Sequence, residues 1–194
     1  VGAGEMLFIR RGVVHQFENR SDAETRVLSV VTPGLLGPAY FRDVADVLGD
    51  LCALSTPVQV MATSGDGGAL AIGLRPLLHT IHRRSRVTIM VLVNEIFANT
   101  GFQYSPATMP YADTSTTPAA GETPGNLEPP LDYLHLAIAA GAEMVAQVSP
   151  AHGKLFVKTV ERALECQGTA VLFVPSPCIS GWKFEDGMTV ELAL

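Results

Sequence analysis

The chain has 194 residues, 47% of them hydrophobic and 16% charged, with 19 acidic against 13 basic side chains and a formal net charge of −6. Its mean hydropathy of +0.27 separates it from disordered chains, which bury too little apolar surface to offset their conformational entropy. The longest clean apolar run, VTIMVLV at Val87–Val93, is about a third of the roughly 20 residues that span a bilayer, so a soluble chain without a membrane span is expected. Basic residues cluster only in His82-Arg83-Arg84-Ser85-Arg86, which reads as a solvated helix end and leaves no footprint for nucleic acid.

The opening residues, VGAGEMLFIRRG, lack a basic stretch leading into an apolar run, so no signal peptide is expected and a cytoplasmic chain is the default. Cys52, Cys166 and Cys178 are odd in number and widely spaced, which argues for reduced thiols rather than a disulfide framework or a zinc pattern. From Glu5 to about Val31 the segments MLFIR, VVHQF and TRVLSVV are separated by turn-forming clusters, an all-β signal. Pro33-Gly34 and Gly37-Pro38 then punctuate the chain, and Phe41, Val44, Val47, Leu48 and Leu51 recur at helical spacing. A domain boundary is expected in this stretch, dividing residues 1–48 from residues 49–194.

Beyond Ser55 the pattern alternates. Strands are predicted at Val58–Thr63, Val87–Val93, Met144–Val148 and Ala170–Val174, with helices over Ala69–His82, Leu131–Ala140 and Lys154–Gln167. Strands separated by helices of this length imply right-handed crossovers and a parallel α/β sheet covered on both faces. Pro76 conflicts with a helix interior, where it costs about 3 kcal/mol; it marks either a kink or a later start.

Residues 63–73 read TSGDGGALAIG. Asp-Gly between strands is a hairpin signal, but the residues after Gly68 carry apolar side chains at helical, not alternating, spacing. A glycine-rich corner between strand and helix presents backbone N–H groups that hold phosphate, and Asp66 there is an oxygen ligand suited to a hard cation such as magnesium. Asn94 follows the apolar run Val87–Val93, at the carboxyl end of the next strand, where ligands sit in parallel sheets. His79 and His82 stand three apart without a third ligand and read as a surface pair. No Gly-x-Ser-x-Gly elbow supports a serine hydrolase.

The 26 residues between Gly67 and Asn94 give a spacing that resembles the thiamine diphosphate fingerprint. SGDGGALAIGLRPLLHTIHRR, VLVNEIFANTGFQYSPATMP, TSTTPAAG, GNLEPPLDYLHLAIAAGA and FVPSPC together resemble the β subunit of 2-oxoacid:ferredoxin oxidoreductases over about residues 57–181. The resemblance implies a three-layer, parallel-sheet thiamine diphosphate-binding domain truncated at its N-terminus. It implies Mg2+ held by the Asp66 and Asn94 side chains and the Ile96 carbonyl. It assigns cofactor binding to Gly65, Asp66, Gly67, Gly68, Asn94, Ile96, Thr100 and Gly101. Asn99 becomes the candidate catalytic contact to the reacting carbonyl or carboxylate; as residues alone, it reads equally as a turn cap.

The same resemblance implies oxidative decarboxylation of a 2-oxoacid to an acyl-CoA, with coenzyme A as acceptor and ferredoxin taking the electrons. It also implies an α subunit carrying the pyrimidine-binding domain and an activating glutamate, so that the isolated chain would bind cofactor weakly. The family's [4Fe–4S] cluster is matched only by Cys178, which alone cannot hold it and reads otherwise as a buried small side chain. A non-redox decarboxylase or carboligase shares the fingerprint. The segment Gln103–Pro130 is long for a structureless loop and, on the resemblance, covers the cofactor or meets the partner subunit. Phe102 stands where a second glycine or a small or basic residue is common.

Residues Gly4–Asn19, GEMLFIRRGVVHQFEN, resemble the second motif of cupins, a likeness extending over about residues 1–43. An earlier motif with the other metal ligands is missing, and His15 alone makes no metal site. The expectation is a partial cupin-like, all-β segment; a cupin-type small-molecule-binding module fused to an inactive remnant is the alternative to an enzyme.

Overall fold

The computed structural model describes residues 59–193. The cupin-like segment, the domain boundary near residue 48, His15 and Cys52 lie outside the described residues. Four strands, β1 (Met61–Gly65), β2 (Thr88–Val93), β7 (Met144–Gln147) and β8 (Ala170–Pro175), form one parallel sheet in the order β1-β2-β8-β7. Met61 pairs with Thr88, Thr88 with Ala170, and Met144 with Ala170, so the strands start level.

The near-continuous apolar sequences of β2 and β8 follow from burial on both faces. Val91, Val93, Val171 and Phe173 face one layer, where they pack with Leu70, Leu77, Ile81 and Ala137. Met90, Ala170, Leu172 and Val174 face the other, against Ala163, Phe156 and Val160. The first layer consists of α1 (Gly67–Ile72), α2 (Leu74–His82) and α3 (Tyr133–Ala139); the second is α4 (Gly153–Glu165). Phe173 is fully buried with its ring centroid 4.6 Å from that of Tyr133; its truncation to alanine would cost about 3–5 kcal/mol.

The helix predicted over Ala69–His82 is two helices. α1 winds as a π-helix, closed by the Gly73 N–H donating to the Gly68 carbonyl at 2.7 Å. At Gly73 the chain resets, since a Cβ there would lie 2.3 Å from that carbonyl oxygen, and α2 begins at Leu74. Pro76 therefore occupies the first turn of α2, where a backbone N–H has no intrahelical acceptor to lose. The later start is the correct reading of that proline.

The segment from Gln103 to Pro130 is folded. β3 (Ile96–Phe97) pairs antiparallel with β4 (Gln103–Tyr104), and β5 (Ala119–Ala120) with β6 (Thr123–Pro124). Asn126, 1% exposed, ties the turns together: its Nδ2 donates to the carbonyls of Thr108, Met109 and Glu128, and its Oδ1 accepts the Glu128 N–H. After β8, short helices α5 (Ile179–Trp182) and α6 (Thr189–Leu192) close the described chain. Among the described residues no helix is long and apolar enough to cross a membrane.

Candidate functional site

The site forms at the carboxyl ends of β1 and β2, which lie side by side with Gly65 opposite Leu92. Asp66 follows β1 directly and caps α1. It is 1% exposed. Its Oδ1 accepts the Gly67 N–H at 2.9 Å; its Oδ2 accepts the Glu95 N–H at 2.8 Å and the Ser105 hydroxyl at 2.9 Å. The glycine after it is sterically required, because a Cβ on Gly67 would meet the Phe97 ring at 2.5 Å. Gly65-Asp66-Gly67 is thus the strand-to-helix corner expected from the sequence and not a hairpin.

Asn94 follows β2, and its Oδ1 accepts the Ile96 N–H at 3.1 Å, the local bond by which asparagine makes a turn. Glu95 between them has φ +68, a left-handed conformation that costs a non-glycine residue about 1–2 kcal/mol. Its backbone is held on both sides, by Asp66 at the N–H and by the Thr108 hydroxyl donating to its carbonyl. Thr108 in turn accepts the Ser105 N–H at 2.8 Å. The Ser105–Thr108 turn thus buttresses the corner from above.

Burial pushes the Asp66 carboxyl above its ordinary value, against the opposing hydrogen bonds from Ser105, Gly67 and Glu95. Burial, and then the Asp66 charge, raises Glu95 as well. Tyr133 is raised by burial and by the charges of Glu95, Asp66 and Asp132. Among the described residues the ion pair present is His135 with Asp132, exposed on α3; Asp66 has no cationic side chain in contact. This is a local excess of negative charge, the setting in which a bound cation is favoured. Each carboxylate or amide oxygen has two acceptor positions, and Asn94 Oδ1 accepts one bond, from the Ile96 N–H. A carboxylate and an amide oxygen at the ends of adjacent strands are the hard donor chemistry that suits Mg2+.

Of the remaining predicted site residues, Gly65 and Gly68 flank this corner and the other three lie in the next turn of the chain. Asn99, Thr100 and Gly101 are exposed in the β3–β4 turn. The Phe102 N–H closes that turn on the Phe97 carbonyl at 3.0 Å, and Gln103 Nε2 donates to the Thr100 carbonyl at 2.8 Å. Gly101 has φ +118, which only glycine adopts without strain. Phe102 has φ +61, a left-handed conformation that glycine would adopt at lower cost. Gly65 and Gly68 are exposed at the corner, and a Cβ on Gly68 would meet Ser64 Oγ at 2.8 Å. Among the described residues, Asn99 makes no side-chain hydrogen bond to Asp66 or Asn94.

Cys178 precedes α5, its sulfur 3.6 Å from the Ser180 hydroxyl oxygen, and Cys166 ends α4; both are free thiols. With three cysteines in the chain, the four thiolates of an iron–sulfur cluster are not supplied by these residues.

Sequence reasoning missed Ser105 and Trp182. Ser105 is fully buried and bonds Asp66 from 39 positions away. Trp182 Nε1 donates to the Asn94 carbonyl at 2.9 Å from 88 positions away. No local pattern announces either contact.

The family model for the thiamine pyrophosphate enzyme C-terminal TPP-binding domain matches residues 45–174. The chain is 35% identical over 135 residues to pyruvate synthase subunit PorB of Methanothermobacter thermautotrophicus, covering 70% of this chain and 47% of that protein. It is 35% identical over 121 residues to 2-oxoglutarate synthase subunit KorB of Archaeoglobus fulgidus, covering 62% and 43%. The chain thus spans about half the length of the curated relatives it matches. A solved 2-oxoglutarate:ferredoxin oxidoreductase from Magnetococcus marinus, described with 2-oxoglutarate, coenzyme A and succinyl-CoA bound, superposes with TM-score 0.62 at 28% identity, over 78% of this chain and 49% of that one. With the parallel α/β sheet and the strand-to-helix corner, the match over residues 45–174 shows that the chain belongs to the family of thiamine pyrophosphate enzyme C-terminal TPP-binding domains.

Proposed function

We propose that this domain binds thiamine diphosphate through Mg2+ as part of a 2-oxoacid:ferredoxin oxidoreductase of β-subunit type, a cytoplasmic enzyme completed by an α subunit. The observation that carries the reading is the Asp66 corner, a buried carboxylate without a cationic partner among the described residues, at the end of one parallel strand and bonded to the turn that ends the next. The names of the PorB and KorB relatives support the substrate class.

In this reading Asp66, Asn94 and the Ile96 carbonyl hold the metal, while Gly65, Gly67 and Gly68 allow the diphosphate to approach the backbone at the start of α1. Thr100 and Gly101 line the approach to the cofactor, and Asn99 orients the substrate's carbonyl or carboxylate by hydrogen bonding. When bound, thiamine diphosphate supplies the nucleophilic carbon and the electron sink that decarboxylation of a 2-oxoacid requires. The chain's own contribution is orientation: the Asp66–Glu95 and Ser105–Asp66 bonds fix the donors before the ligand arrives, so little ordering remains at binding. Coenzyme A would take the acyl group and ferredoxin the electrons, with an iron–sulfur set drawn from outside the described residues.

The test is the reduction of a low-potential viologen dye by pyruvate or 2-oxoglutarate, in the complex of this chain with its partner subunit and in the presence of coenzyme A. Dye reduction dependent on both a 2-oxoacid and coenzyme A is the expected result. Release of carbon dioxide without any acceptor would favour a non-redox decarboxylase or carboligase instead.

A further inference from the structure

Resting on the reading above, we propose that Trp182 is a positioning residue for the metal–diphosphate clamp. The peptide linking Asn94 to Glu95 is held at both polar ends. Its N–H donates to Asp66 Oδ2 at 2.8 Å, and its carbonyl accepts the Trp182 indole N–H at 2.9 Å. A peptide plane pinned at one end can still rotate; pinned at both, it cannot. The two residues that pin it come from the first strand's end and from the helix after the last strand of the sheet.

The plane matters because it sets the turn that follows. Glu95 occupies a left-handed conformation at φ +68, which persists in a non-glycine residue only when its surroundings over-determine it. That conformation directs the chain from Asn94, whose side-chain oxygen is one proposed ligand, to Ile96, whose carbonyl is another. Trp182 is thus bonded to the backbone of one ligand residue, and its neighbour Gly181 packs against the next. A Cβ on Gly181 would lie 2.1 Å from Ile96 Cδ1, 3.1 Å from Phe102 Cδ1 and 3.3 Å from Cys178 Sγ. Helix α5 therefore braces the Asn94–Ile96 turn from behind by a hydrogen bond and by a close backbone approach. Removing the indole donor leaves a part-buried carbonyl without its partner and frees the peptide to flip. The binding-competent fraction then falls, and the apparent affinity falls with it.

Trp182 is the one tryptophan in the chain, so its emission reports this contact directly. The experiment titrates the full chain with MgCl2 at fixed thiamine diphosphate, following indole fluorescence and calorimetric heat, in wild type, Trp182→Phe and Gly181→Ala. Far-UV circular dichroism and thermal unfolding without ligand establish that each variant is folded. In wild type, emission is expected to change saturably with Mg2+ only when the cofactor is present. Trp182→Phe, read by calorimetry, should raise the Mg2+ concentration for half-saturation about tenfold. Gly181→Ala keeps the indole but displaces Ile96, and should raise it as well. If wild type and both folded variants bind with the same Mg2+ dependence, the positioning role is overturned while cofactor binding stands. If wild type shows no Mg2+-dependent binding either alone or in the complex with its partner subunit, the cofactor reading fails and the positioning role fails with it.

Discussion

Asp66 and Ser105, 39 positions apart in the chain, are joined by a buried hydrogen bond of 2.9 Å between the serine hydroxyl and Asp66 Oδ2. The same hydroxyl accepts the Ala107 N–H at 3.2 Å, so it orients the carboxylate and anchors the turn that begins at Ser105 at once. Ser105→Ala should weaken Mg2+-dependent thiamine diphosphate binding about fivefold, corresponding to roughly 1 kcal/mol for one lost hydrogen bond. Calorimetry with unchanged affinity would show that the carboxylate needs no help from this segment.

Gly67 lies under the Phe97 ring, with no room for a Cβ at 2.5 Å. Gly67→Ala should destabilise the domain by about 1–3 kcal/mol, the usual range for overpacking. Adding Phe97→Ala should recover part of that loss, because the two positions touch and their effects couple. Urea unfolding of the single and double variants measures the coupling; strictly additive losses would contradict the contact.

Asn126 satisfies three carbonyls and one N–H from a fully buried position. Asn126→Ala leaves these backbone groups without their partner and should cost about 3 kcal/mol of stability. Proteolysis is expected to cut first within residues 105–130. A variant as resistant as wild type would mean that the segment is held by other contacts.

The N-cap of α3 gives a pH signature. The His135 backbone N–H bond holds the Asp132 carboxyl below its ordinary value of 3.8. A carboxyl depressed in the folded state adds stability that is fully present above 3.8 and is lost as pH falls through the lowered value. Asp132→Ala should therefore lower the melting temperature at pH 7, and the difference from wild type should vanish in acid below that value. A difference constant down to strongly acidic pH would contradict the cap.

Much of this architecture is legible in the sequence because its strands are buried on both faces and read as apolar runs. β2, β7 and β8 fall within a residue or so of their expected bounds. β1 ends two residues later than expected, at Gly65, because the glycine corner still pairs with Leu92. The break at Gly73 is hidden because apolar spacing continues through it; Pro76 is its visible trace. Asp66 and Asn94 are legible because each directly follows a strand and the two strands are adjacent. Ser105 and Trp182 are not, because their partners are fixed by tertiary folding 39 and 88 positions away. The folded character of the segment after Tyr104 is hidden for the same reason, since one asparagine side chain supplies much of its order.

The central claim is that Asp66 holds the metal that binds thiamine diphosphate to this domain. Its most direct test is isothermal titration of the full chain with thiamine diphosphate, with and without MgCl2, in wild type and in Asp66→Ala shown to be folded by circular dichroism. The account predicts binding in wild type that requires Mg2+ and is absent from Asp66→Ala. Equal affinity in the two proteins, or wild-type binding indifferent to Mg2+, would contradict it.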